Sequence, residues 1–215
     1  ALAMNKPVAK QFFARAGLPV AEDAVVASTD LFAHEPMARP FVVKPADEGS
    51  SVGVVIVEEG DNLTPEKPGP WQSNEHVMVE RYVPGRELAC TVIGDRATAI
   101  VELRPKRGFY DYEAKYEDGI TEHLIPAPLP EAVTADVQRI TLAAHQAIGC
   151  RGVTRADLRY DDTRDEGERA TLALLEINTQ PGMTPLSLAP EMAAHEGMDF
   201  PALVAWMVED ASCRR

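Results

Sequence analysis

The stretch from Arg155 to Gly182 constrains this chain more than any other. It reads RADLRYDD, a charged turn, then LALLEINTQPG. Its two apolar runs alternate as paired strands do, and the polar run from Asp161 to Arg169 between them carries turn chemistry, so a β-hairpin is expected. Side chains two apart on a strand share a face. Arg155 and Asp157 therefore fall together on one strand, and Glu176 and Asn178 on the other. Two carboxylates and an amide carbonyl are hard oxygen donors of the kind that suit magnesium, with phosphate oxygens and water completing the shell. The arginine adds a fixed positive fork beside them. A lone acidic residue at a strand end is usually just solvated. Glu176 and Asn178, however, follow the apolar run LALL, where burial of such groups is costly unless they are paired or bind a metal.

The rest of the chain narrows the class. Its 215 residues suffice for one large or two small domains with a real core, and 45% apolar with 26% charged residues is ordinary for a globular protein. A net charge of −13 argues against a nucleic-acid partner. No apolar run is long enough to span a bilayer, so no membrane partner is expected. Cys90, Cys150 and Cys213 are odd in number and lack metal spacing, which fits reduced thiols and a cytoplasmic location. The five histidines are scattered and suggest no zinc site.

From the N-terminus, Asn5 can cap a helix, Pro7 suits its first turn and Gly17 can end it, with Val8, Phe12 and Ala16 as its apolar positions. Leu18 to Val20 reads as a strand. PFVVKPADEGSSVGVVIV is a hairpin with a Gly/Ser tip; by pattern alone this is more often an ordinary turn than a phosphate grip. Asp61 to Asn74 is a surface connection, HVMVERYV a strand broken at Pro84-Gly85, and Leu88 to Val101 two strands about Gly94-Asp95. Glu131 to Ile148 is a helix on one face of which Val133, Val137, Ile140, Ala144 and Ile148 recur, with His145 structural. A short helix near Ser187 and a last one capped by Asp199 complete the α+β pattern.

Several of these stretches together resemble one family. ALLEINTQPGMTPLSL, KPADEGSSVG, FYDYEAKY and the opening ALAMNK are similar to segments of the D-alanine–D-alanine ligases, members of the ATP-grasp fold. The resemblance implies two α+β lobes sandwiching ATP. Residues 1–84 form the smaller lobe with the phosphate hairpin, and residues 85–215 the larger lobe with a lid and the metal hairpin. It also implies a preceding substrate domain, apparently missing here, that holds the ammonium of the first D-alanine, so these residues alone are expected to bind ATP more readily than to catalyse.

Roles follow from the same resemblance. Lys6, Lys44 and Lys115 contact ATP phosphates, and Ser50 helps close the phosphate loop. Glu80 accepts from the adenine amino group, the backbone at Tyr82 and Val83 reads the adenine edge, Glu87 holds the ribose hydroxyls and Phe109 lies near the base. Asp157, Glu176 and Asn178 hold two magnesium ions, replaceable by manganese. Arg155 and the Gly182 N–H stabilise an oxyanion, and Ser187 with Leu188 holds the second D-alanine. Tyr116 bonds Ser50 and the lid, and a tyrosine there favours amide over ester formation. The expected activity is ATP-dependent joining of two D-alanines through an acyl phosphate, for peptidoglycan precursor synthesis, in a homodimer. Another ATP-grasp carboxylate–amine ligase, or an inactive nucleotide-binding module, are the alternatives.

Overall fold

The structure is a computed structural model that describes residues 1–32, 34–49, 52–61, 71, 75–105, 121–163, 171–184 and 187–212. Ser50, Phe109, Lys115 and Tyr116, and with them the expected lid and the tip of the phosphate hairpin, lie outside the described residues.

Two antiparallel sheets organise the chain. The first contains β1 (Asp23–Ala27), β2 (Phe41–Pro45), β3 (Val55–Val57) and β4 (His76–Arg81), in the order β1-β4-β2-β3. Phe41, Val43, Val57, Val77 and Val79 pack with Leu31 and Trp71 on one of its faces. Alternation then sends Val42, Lys44 and Glu80 to the other face. The expected hairpin is present, with Val43 opposite Val55.

The second sheet contains β5 (Arg86–Ile93), β6 (Arg96–Pro105), β7 (Thr121–Leu124), β8 (Val153–Asp161) and β9 (Thr171–Asn178), in the order β7-β6-β5-β8-β9. One face packs against α1 (Lys6–Arg15) and α2 (Glu131–Ala147) through Phe13, Val137, Ile140, Leu88, Ala156 and Leu158. The other meets α3 (Leu188–His195) and α4 (Phe200–Asp210) through Ala89, Val101, Met192, Ala189 and Leu203. His145 is structural as expected: it is buried, and its Nδ1 lies 2.8 Å from Thr154 Oγ1.

Local chemistry accounts for the helix ends. Asn5 Oδ1 accepts the Val8 N–H at 3.1 Å, and Asp199 Oδ1 accepts that of Ala202 at 2.9 Å. α1 stops at Gly17, where the Leu18 N–H donates to the Phe13 carbonyl.

Two expectations need correction. Helix α1 buries Ala9, Lys10 and Phe13, whereas Val8 and Phe12 are half-buried and Ala16 is exposed. Two neighbouring rows of this helix are both apolar, and the row that meets the second sheet takes the core. Residues 18–20 form no strand; the Pro19 carbonyl instead accepts from the Leu174 N–H at 2.8 Å, which ties the chain to β9 before β1 begins.

The sheets are joined through residues 82–85. Gly85 adopts φ +88°, and a Cβ there would stand 2.2 Å from the Tyr160 carbonyl oxygen. Left-handed backbone and a backbone clash coincide at this position. Gly85→Ala is expected to lower stability by roughly 2–3 kcal/mol, read as a fall in the urea midpoint. An unchanged midpoint would mean that the connector does not pack on β8.

Candidate active site

The site depends on a break in the rhythm of β9. Leu172 and Leu174 point into the core, and strict alternation would send Glu176 and Asn178 after them. Instead the pairing shifts: Asp157 opposes Glu176 while Leu158 opposes Leu174, so Leu175 is an extra residue. This β-bulge inverts the phase of the strand. Ile177 takes the core position, and Glu176 and Asn178 turn to the face that carries Arg155 and Asp157, directly across from them in register.

Two adjoining cavities open on this face. The first lies between the sheets, bordered by Lys44, Glu80, Tyr82, Val83 and Glu87, with Val42, Val52, Val54 and Leu175 as apolar wall. The second is bordered by Arg155, Asn178, Gly182, Ser187 and Leu188. Lys6, Glu48, Gly49, Asp157 and Glu176 border both. Every described residue of the expected site thus lines one cavity or the other, and the two cavities share a wall that includes Lys6, Asp157 and Glu176.

Electrostatics hold the junction together. The Arg155 guanidinium grips Asp157 with two parallel bonds, Nε to Oδ1 at 2.7 Å and Nη2 to Oδ2 at 2.8 Å, so both side chains are fixed in one plane. Lys6 Nζ donates to the Glu48 carbonyl and lies 3.9 Å from Glu176 Oε2. Its backbone N–H also bonds the Ala46 carbonyl at 2.9 Å, which docks the start of α1 against the end of β2. Burial pushes the Lys6 ammonium down from its usual 10.5, against the raising pull of Glu176.

A buried network supports the first cavity. Glu80 is 2% exposed; its Oε1 accepts from Lys10 Nζ and its Oε2 from Lys44 Nζ, both at 2.6 Å. Lys10 also donates to the Ala21 carbonyl at 2.6 Å and lies 3.2 Å from Asp23. A lone buried carboxylate costs several kcal/mol, and two charge-assisted bonds of about 1.5–3 kcal/mol each offset that. Burial works to raise the Glu80 carboxyl, but Lys44 and Lys10 outweigh it and hold it below 4.5. Both oxygens already serve lysines, so an adenine amino group could use only the remaining lone pairs.

Two residues here escape the sequence reading. Lys10 reads as one more helix-surface lysine, and only its place four residues after Lys6, on the same helical row, signals it. Arg159 bonds the connector between the sheets; its spacing of two from Asp157 on β8 is the signal.

At the second cavity, Ser187 Oγ lies 2.9 Å from Thr184 Oγ1 and accepts the Thr184 N–H at 3.0 Å. A Cβ on Gly182 would stand 2.6 Å from that Oγ, so the close approach requires glycine.

The donors of the junction fit magnesium. Asp157 and Glu176 supply hard carboxylate oxygens on facing strands, and Asn178 Oδ1 is oriented by accepting the Gln180 N–H at 2.9 Å. Among the described residues no group of three His, Cys, Asp or Glu forms, and a magnesium ion here would need the Asn178 amide as its third protein donor.

The folded Glu80 carboxyl lies below its unfolded value, so its contribution to stability is complete above about pH 4.5 and is lost as pH falls through the folded value. The wild-type advantage over Glu80→Gln in urea unfolding should therefore shrink from neutral pH to about 3. A constant difference would show that the lysines do not hold Glu80 ionised.

The chain matches the family described as D-ala D-ala ligase C-terminus over residues 12–209. A D-alanine--D-alanine ligase of Paramagnetospirillum magneticum is 55% identical over 99% of this chain, which spans 69% of that relative's length. The crystal structure of D-alanine--D-alanine ligase from Bacillus anthracis shares the fold, with a TM-score of 0.77 and 28% identity over 97% of this chain and 67% of its own. The same enzyme complexed with ATP superposes with a TM-score of 0.71 at 26% identity, covering 97% of this chain and 66% of its own. With a family match across most of its length and relatives this similar, the chain belongs to the D-alanine–D-alanine ligase family of ATP-grasp enzymes.

Proposed function

We propose that the whole protein joins two D-alanines to D-alanyl-D-alanine, converting ATP to ADP and phosphate, as a cytoplasmic step of peptidoglycan precursor synthesis. The observation that carries this reading is the meeting of the two cavities at Lys6, Asp157 and Glu176. A transfer from nucleotide to amino acid needs such a shared wall. The curated relatives bear the name of this ligase.

In this reading residues 1–84 and 85–215 form the two lobes about the nucleotide. Val42, Val52, Val54 and Leu175 offer an apolar slot for the base, Tyr82 and Val83 present their backbone to its edge, and Glu87 receives the ribose hydroxyls. Lys44 and Lys6 bring positive charge to the phosphates, a need that the net charge of −13 leaves to local groups. Glu80 holds Lys44 at one fixed position. Magnesium held by Asp157, Glu176 and Asn178 would neutralise phosphate charge and orient in-line transfer.

The γ-phosphoryl group passes to the carboxylate of the first D-alanine, giving an acyl phosphate. The amine of the second then attacks the acyl carbon and phosphate leaves. Ser187 and Leu188 border the cavity where the second amino acid is held, at the start of α3, whose leading N–H groups suit a carboxylate. Arg155, kept in plane by Asp157, and the Gly182 N–H donate to the developing oxyanion.

The test is ADP release with magnesium and ATP, with and without D-alanine, and mass detection of the dipeptide. D-alanine-dependent ADP together with dipeptide supports the ligase; ADP release triggered by a different amino acid alone would replace the substrate. Arg155→Ala should retain ATP binding and lose turnover by roughly two to three decades, as for a lost oxyanion donor. Near-normal turnover would remove Arg155 from that role.

A further inference from the structure

Arg159 shares the cleft face of β8 with Arg155 and Asp157, but its guanidinium reaches the connector between the sheets. Its Nε donates to the Val83 carbonyl at 3.0 Å and its Nη2 to the Gly85 carbonyl at 2.8 Å. Nη1 lies 3.5 Å from Glu87 Oε2, and Cζ stands 5.8 Å from the centroid of the Tyr82 ring. Glu87 is also directly opposite Arg159 in the β5–β8 register. One side chain therefore touches Tyr82, Val83, Gly85 and Glu87. All of these but Gly85 border the first cavity, as does Arg159 itself.

We propose that Arg159 is a positioning residue for nucleotide recognition, holding the 82–87 segment and Glu87 in the arrangement that receives the nucleoside. The inference rests on the reading of the first cavity as the ATP site. The connector is short: only residues 82–85 separate the end of β4 at Arg81 from the start of β5 at Arg86. A planar fork with five donors can reach two carbonyls and a carboxylate from separate nitrogens in a fixed geometry, a spread that the single nitrogen of a lysine does not offer. Glu87 held by an ion pair has already lost rotamer freedom before a ribose arrives, so less ordering opposes binding. Arg159 and Glu87 are both largely shielded, with side chains 13% and 14% exposed, so bulk water weakens the pair less than at an open surface.

The experiment measures binding of ATP and of 2′-deoxy-ATP to the whole protein, as wild type, Arg159→Met, Arg159→Lys and Glu87→Gln, with steady-state kinetics beside it. Arg159→Met keeps the length of the side chain and removes the fork. It should weaken ATP binding about tenfold, the value of one to two lost hydrogen bonds, with kcat at saturating ATP and the KM for D-alanine nearly unchanged. Arg159→Lys should not restore it. The ribose readout separates positioning from general loosening. The preference for ATP over 2′-deoxy-ATP should fall in Arg159→Met as it does in Glu87→Gln, and the double variant should lose no more than the larger single loss. Equal weakening of both nucleotides, or unchanged ATP affinity, would overturn the role of Arg159 while leaving the ATP site in place. A wild type that binds neither nucleotide would overturn the ATP site and this inference together.

Discussion

One extra residue in β9 carries the chemistry of this molecule. Leu175 breaks the alternation of its strand, and without that break Glu176 and Asn178 would enter the apolar core beside Leu172 and Leu174. A carboxylate placed there without a partner would cost several kcal/mol. With the bulge, the core receives Ile177, and the polar pair faces Arg155 and Asp157 across the ladder. Core and cleft are thus satisfied by the same shift. β-Bulges recur beside functional sites because they re-aim side chains without ending a strand.

The second organising interaction is the chain of charges Asp23, Lys10, Glu80 and Lys44. It runs from Asp23 on β1 through Lys10, on a helix packed in the core of the second sheet, to Glu80 on β4 and Lys44 on β2 of the first. Phe13 anchors α1 beneath β5, β8 and β9, while Lys10, three residues earlier, reaches across to β4. The helix therefore belongs by packing to one sheet and by ionic contact to the other. Lys44 faces the cleft from a fixed position because Glu80 is itself held, and Glu80 tolerates burial because two cations compensate it.

Much of this was legible in local pattern. The caps Asn5 and Asp199 form as their side chains predict, since a capping oxygen and the N–H it serves lie within one turn. The hairpins β2–β3, β5–β6 and β8–β9 follow from period-two alternation bounded by turn residues. That Arg155 shares a face with Asp157, and Glu176 with Asn178, also follows from a spacing of two, whereas the meeting of the two pairs rests on the bulge at Leu175. Less legible was α1, where Val8 and Phe12 form one apolar row and Ala9 and Phe13 the next. Periodicity offers two rows, and only the partner sheet selects one.

The sequence by itself determined which residues pair locally, where helices begin and end, and which side chains share a face, because each of these depends on neighbours a few bonds away. The tertiary structure alone decided which shared face meets the core and which meets the cleft. Lys10 shows the reason. Four residues from Lys6, it looks like a solvated cation until β4 places Glu80 2.6 Å away. Burial and ionic pairing are properties of the space between distant segments, and no local pattern contains that distance.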